Sequence, residues 1–151
     1  MAITLPTAEE MLEKTIRKVS SSPDEWLRFL NTASRVYQYD FSDQLMIYAQ
    51  RPGAIGCTSF QTWKKTNHYV KQGTKGIALI QTVNGRKRLR YVYDYKDTGI
   101  IKGVPITEVR QPYLWQITEE DKNELSNYLK KKYNVEGEQT NLATMLKKIV
   151  E

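Results

Sequence analysis

Residues 37–98 read YQYDFSDQLMIYAQRPGAIGCTSFQTWKKTNHYVKQGTKGIALIQTVNGRKRLRYVYDYKDT, and the periodicity changes part-way along this stretch. That change decides the fold class. Ser42 to Gln50 has helical character, with Asp40 or Ser42 available as its cap. Arg51-Pro52-Gly53 stops it, because Pro52 disfavours helix at the residue before it and Gly53 permits the turn. A short helix through Phe60, Trp63 and Lys64 follows, capped by Thr58 or Ser59 and ending near Asn67. Beyond a turn bracketed by Gly73 and Gly76, the runs Ile77 to Val83 and Lys87 to Tyr95 are β-branched or aromatic. Asn84-Gly85 joins them, and both residues tolerate positive φ, so a hairpin is predicted. Alternation puts Leu89, Tyr91, Tyr93 and Tyr95 on one face of the second strand, and Arg88, Arg90, Val92 and Asp94 on the other. If the tyrosine face covers the helices, the face with Arg88 and Arg90 meets a ligand.

Two helices precede this stretch. Thr7 with Glu10 fits a capping box for a helix ending at Val19, whose apolar stripe is Met11, Leu12, Thr15, Ile16 and Val19. Ser22, Pro23, Asp24 and Glu25 open a second helix with cap, first-turn proline and acids in order, burying Trp26, Leu27, Phe29, Leu30, Ala33 and Val36. After the stretch, residues 99–113 read as loop with one short edge strand near Ile106 to Arg110. Thr118 opens a helix with Glu119, Glu120 and Asp121 in its first turn and Lys130, Lys131 and Lys132 in its last. Thr140 caps a final helix to Val150. The predicted fold is α+β: N-terminal helices on a small antiparallel β-sheet containing a hairpin, then C-terminal helices. A domain over 1–115 and a helical extension over 116–151 are expected.

Charge is concentrated in the middle of the chain. Between Arg51 and Lys96 ten bases face the single acid Asp94, a net of +9 where the whole 151-residue chain carries +6. This block is interleaved with Trp63, Tyr69, Tyr91 and Tyr93, the composition that holds a polyanion and stacks on its bases. A solvated basic face is the plain alternative. Cys57 is the sole cysteine and His68 the sole histidine, which excludes an internal disulfide and a Cys/His structural zinc site within one chain. No apolar run approaches the roughly 20 residues that span a bilayer. Acids near the N-terminus replace the bases of a signal peptide, so no membrane association and a cytoplasmic location are expected.

Enzyme signals are weak. A Cys57–His68 dyad would require an activated thiol, and a small buried thiol is the simpler reading. The VKQGTKG segment lacks the following helix of a phosphate loop, and its glycines fit a β-turn. Paired acids such as Glu9 with Glu10 sit in first helical turns, where the dipole accounts for them. No catalysis and no cofactor are expected.

Several ordered motifs carry a family resemblance. They are Tyr37-x-Tyr39, then Ser42-x-Gln44-Leu45-x-Ile47, Gln50-x-Pro52-x-Ala54, Phe60-x-x-Trp63, Val70-Lys71-x-Gly73-x-Lys75-Gly76-Ile77, and Tyr91-Val92-x-Asp94. Over about Leu5 to Thr98 the chain resembles the N-terminal domain of the antirestriction protein ArdC. It is most similar to N-terminal segments of large helicase/methylase-like proteins of conjugative elements in Firmicutes. The resemblance implies a module that binds single-stranded DNA, often joined to peptidase, helicase or methylase domains, none of which follows Thr98 here. The basic residues Lys64, Lys65, Lys71, Lys75, Arg86, Lys87, Arg88 and Arg90 are expected to contact phosphates, with Trp63 and Tyr69 stacking on bases. The rival expectation is a module recruiting an acidic conjugation or restriction protein.

Overall fold

A computed structural model describes residues 3–105 and 118–133 of the chain, which divides into two compact units, Met1–Leu114 and Trp115–Glu151. In the first unit three helices precede the strands: α1 over Leu5–Val19, α2 over Pro23–Ala33 and α3 over Phe41–Gln50. α1 starts ahead of the expected capping box. Thr4 is its cap, accepting the Thr7 N–H at 3.4 Å. Pro6 is harmless in the first turn, since an N–H there has no partner within the helix. Ser22 and Asp40 cap α2 and α3, accepting the amides of Glu25 and Asp43.

α3 is the centre of the core because it buries residues toward two sides. Met46 and Ile47 pack with Ala8, Val36, Ile77, Leu79 and Val92, while Leu45 and Tyr48 pack with Val19, Phe29 and Ala33. Burial of this kind is the main favourable term in folding. The expected stripes are only partly inside: Ile16, Trp26, Leu27 and Leu30 each keep more than a third of their surface exposed. Phe29 and Ala33 take the contact with α3, which leaves Trp26 at the rim, 5.4 Å from the Phe29 ring and 6.3 Å from Phe41.

The strands form two sheets. β1 (Cys57–Thr58), β4 (Arg86–Asp94) and β3 (Ile77–Val83) make a three-stranded antiparallel sheet in the order β1-β4-β3. β2 (His68–Val70) and β5 (Thr98–Ile100) make a separate antiparallel ribbon. Asn84 and Gly85, at φ 51° and 72°, close the predicted hairpin. The edge of β3 is met by a side chain acting as a strand would: the Gln50 amide accepts the Ala78 N–H and donates to the Ala78 carbonyl, both at 2.9 Å.

The condition set on the hairpin faces is not met, because the Val92 face rather than the tyrosine face turns inward. Val92 and Asp94 are buried, while Tyr91 is 44% exposed. The register gives the reason. Ile77 and Leu79 of β3 pair with Val92 and Arg90, so the apolar residues of β3 draw that face inward and carry Arg90 with it. β4 also stops at Asp94, and Tyr95 enters a 3-10 turn over Tyr95–Asp97. The Asp94 carboxylate accepts the amides of Ile55 and Gly56 at 2.9 and 3.1 Å, which pins the 51–56 loop against the end of β4.

In the second unit α5 spans Glu119–Tyr133. Thr118 and Asp121 cap each other reciprocally: the Asp121 carboxylate accepts the Thr118 N–H at 2.8 Å, and the Thr118 hydroxyl oxygen accepts the Asp121 N–H at 3.1 Å. The Thr118 hydroxyl also donates to the Asp121 carboxylate at 2.7 Å, and this bond, with that from the Thr118 N–H, holds the Asp121 carboxyl below its usual range. The edge strand expected near 106–110 and the helix expected over 140–150 lie outside the described residues. Among the described residues no helix is long and apolar enough to cross a membrane.

Candidate nucleic-acid interface

Several of the expected site residues meet around the β2–β5 ribbon. α4 (Phe60–Lys65) is capped by Ser59 and ends with Lys64 and Lys65, both exposed. Asn67, at φ 62°, then turns the chain into β2. Alternation along β2 buries His68 and leaves Tyr69 50% exposed. Tyr69 lies opposite Gly99 in the register, and its ring rests on that glycine. A Cβ at Gly99 would come within 2.6 Å of the ring Cζ, so only glycine lets the tyrosine lie this close to the strand.

The cations nearby are tied to backbone oxygens. Lys71 Nζ donates to the Lys96 carbonyl at 2.9 Å, and Lys96 Nζ to the Gly53 carbonyl at 2.8 Å. Arg51 reaches the Lys75 carbonyl at 3.4 Å, with its Nε 3.7 Å from Asp97. Neutral carbonyls orient an ammonium group without cancelling its charge. Among the described residues, Lys64, Lys65, Lys71, Lys75 and Lys96 have no carboxylate partner. Arg51 and Lys96 thus join the cluster, although no spacing in the sequence placed them beside it.

Other expected site residues lie elsewhere. Trp63 is 4% exposed, its indole N–H donating to the Tyr93 carbonyl at 2.9 Å and its ring 5.2 Å from His68. A ring so enclosed has no face open to a base, and Trp63 is a core residue here. Arg86, Lys87 and Arg88 sit at the hairpin tip. At about 3.3 Å per residue, the length of β3 from Ile77 to Val83 puts the tip about 20 Å from the start of that strand, which follows Lys75 and Gly76. Lys87 is paired with Glu9 of α1 at 2.7 Å. Arg90 is half-buried and already paired. Its guanidinium is ion-paired with Asp43 and lies 5.7 Å from the centre of the Tyr39 ring.

No family model, curated protein or solved structure matches the chain.

The Arg90–Asp43 pair makes a prediction of its own. The Asp43 side chain is 6% exposed and that of Arg90 37%. Burial pushes the Asp43 carboxyl up from its ordinary range, and the Arg90 charge opposes that shift. Arg90→Ala strands a desolvated carboxylate and is expected to cost about 2 kcal/mol. A wholly buried pair would cost about 3–5 kcal/mol, but Arg90 is partly in water. Urea denaturation reads this directly. Unchanged stability would show that Arg90 is a surface residue after all.

The chemistry of the lone thiol also follows from its setting. Cys57 is 1% exposed, and burial, aided by the Asp94 charge, pushes its thiol up to about 12. It is therefore held as a protonated thiol, the form that does not attack. The Cys57 carbonyl instead serves structure, accepting from Gln38 Nε2 at 3.2 Å and from the Tyr39 hydroxyl at 2.8 Å. His68 Nδ1 lies 3.0 Å from the Thr66 carbonyl. No group of three or more His, Cys, Asp or Glu side chains that could hold a metal ion occurs among the described residues.

Proposed function

We propose that the chain is a non-catalytic module that binds single-stranded DNA without sequence preference, acting in the bacterial cytoplasm as part of an ArdC-like antirestriction or conjugation system. The observation that carries this reading is Tyr69, half exposed on Gly99 and bordered in the chain by Lys64, Lys65 and Lys71. An aromatic face beside unneutralised cations suits a strand whose bases are unpaired, since stacking is tolerant of base identity and the ammonium groups meet the phosphates. A duplex has the higher charge density but hides its base faces. None of the expected contact residues lines one helix in the manner of a major-groove reader.

The test is a fluorescence-anisotropy titration of a labelled mixed-sequence strand of about 20 nucleotides against its duplex at equal salt. The single strand is expected to bind more tightly, and shuffling its sequence to matter little. Tyr69→Ala should weaken binding by roughly 1–3 kcal/mol, one base–aromatic stack, with little change in melting temperature. Equal or tighter duplex binding would leave only a non-specific basic surface.

A second reading, recruitment of an acidic protein partner, draws on the same lysines around the β2–β5 ribbon. The same titration separates the two, because only the DNA reading gives binding with no other protein present.

A further inference from the structure

Behind the β2–β5 ribbon, on the side of His68 rather than that of Tyr69, lies an open cavity of about 410 Å³. Ile55 and Ile100 give it apolar walls, His68 and Tyr95 contribute aromatic rings, Gly99 lines it without a side chain, and Lys96 supplies its one cation. This volume is within the range of sites for small organic ligands, which combine apolar walls with a few placed polar groups.

A second observation concerns His68. It is 1% exposed, its Nδ1 is engaged by Thr66, and its Nε2 is shielded from solvent and meets no hydrogen-bond partner. Buried polar atoms are nearly always satisfied, so an orphaned ring nitrogen beside a cavity marks a place where a polar ligand atom would be welcome. With Nδ1 donating to the Thr66 carbonyl, Nε2 is an acceptor.

We propose that this cavity takes a single nucleotide, base inward and phosphate toward Lys96. A base is flat, apolar on its faces and bears an N–H donor whichever of the four it is, so one acceptor, uncovered as the His68 ring tilts toward the base, imposes no sequence. The ligand class rests on the nucleic-acid reading above, whereas the cavity itself does not. Tyr69 and the cavity lie on opposite faces of the ribbon, and successive nucleotides of one strand reach both by passing round it, one stacking on Tyr69 and the next entering the cavity.

The experiment is an NMR titration of the full chain with thymidine 5′-monophosphate, thymidine and inorganic phosphate, followed by oligonucleotide binding to Ile100→Trp. Ile100 is 40% exposed, so a larger side chain can block the cavity without entering the core. Saturable shifts at His68, Tyr95, Lys96, Gly99 and Ile100 are expected with the nucleotide, weaker ones with thymidine, and a loss of oligonucleotide affinity of about tenfold in Ile100→Trp, the low end for one base–aromatic contact. Absent nucleotide shifts, or shifts matched by phosphate alone, overturn the proposal whether or not the variant folds. Wild-type oligonucleotide binding without nucleotide shifts would sink the cavity and leave the single-strand reading standing. Nucleotide shifts without oligonucleotide binding would do the reverse. Shifts with neither ligand would end both.

Discussion

Trp63→Ala is expected to lose about 3–5 kcal/mol of folding stability, the range for deleting a large buried aromatic ring. Three things are removed at once. The ring fills the space between α4 and the strand ends, packing 5.2 Å from His68 and 6.0 Å from Tyr95. Its N–H is the donor to the carbonyl of Tyr93, which pairs with Thr58 in the register that ties β1 to β4. It also anchors the short helix that carries Lys64 and Lys65. Small domains have about 5–15 kcal/mol in total, so the melting temperature should fall by roughly 10–20 °C. Trp63→Phe keeps most of the ring and should cost less, mainly through the lost hydrogen bond. If Trp63→Ala melted like the wild type but bound DNA poorly, the ring would be at the surface and the stacking role would return to it.

The largest expected effect on binding comes from replacing Lys64, Lys65, Lys71 and Lys75 together by Gln. Each phosphate contact on a single strand contributes about 0.7 to the slope of log affinity against log salt, so the slope should fall by about 2.8. Near 0.1 M salt the affinity should drop by about a hundredfold to a thousandfold. The fold should survive, because only the Lys71 amine among these four makes a hydrogen bond within the described residues, and that bond is exposed. A matching replacement of Arg86, Lys87 and Arg88 should matter only for strands long enough to span the distance to the tip, and the shortest strands should not register it. Unchanged slope in the first variant would remove the ribbon from the interface and return attention to the tip.

Local features were legible in the sequence. The caps of α2, α3 and α4, the stop at Arg51-Pro52-Gly53 and the Asn84-Gly85 hairpin each depend on a few neighbouring residues competing for the same backbone groups. Their order was enough for the α+β class. Lys64 and Lys65 at the end of α4 were legible as well, since a helix end is a short-range fact. β2 and β5 were not, because three residues carry too little pattern to separate a strand from a loop.

Tertiary structure decided which charged and aromatic groups are free. In sequence Arg90 resembles Arg88, and Trp63 is as suited to stacking as Tyr69. Arg90 is taken by Asp43, 47 residues away, and Trp63 by Tyr93, 30 residues away. Lys96 enters the basic cluster through Gly53, 43 residues away. The hairpin faces inward on the Val92 side because Ile77 and Leu79 bring more apolar bulk to the core than the opposite face does. Burial is shared among partners distant in the chain, so one residue's composition and spacing do not contain it.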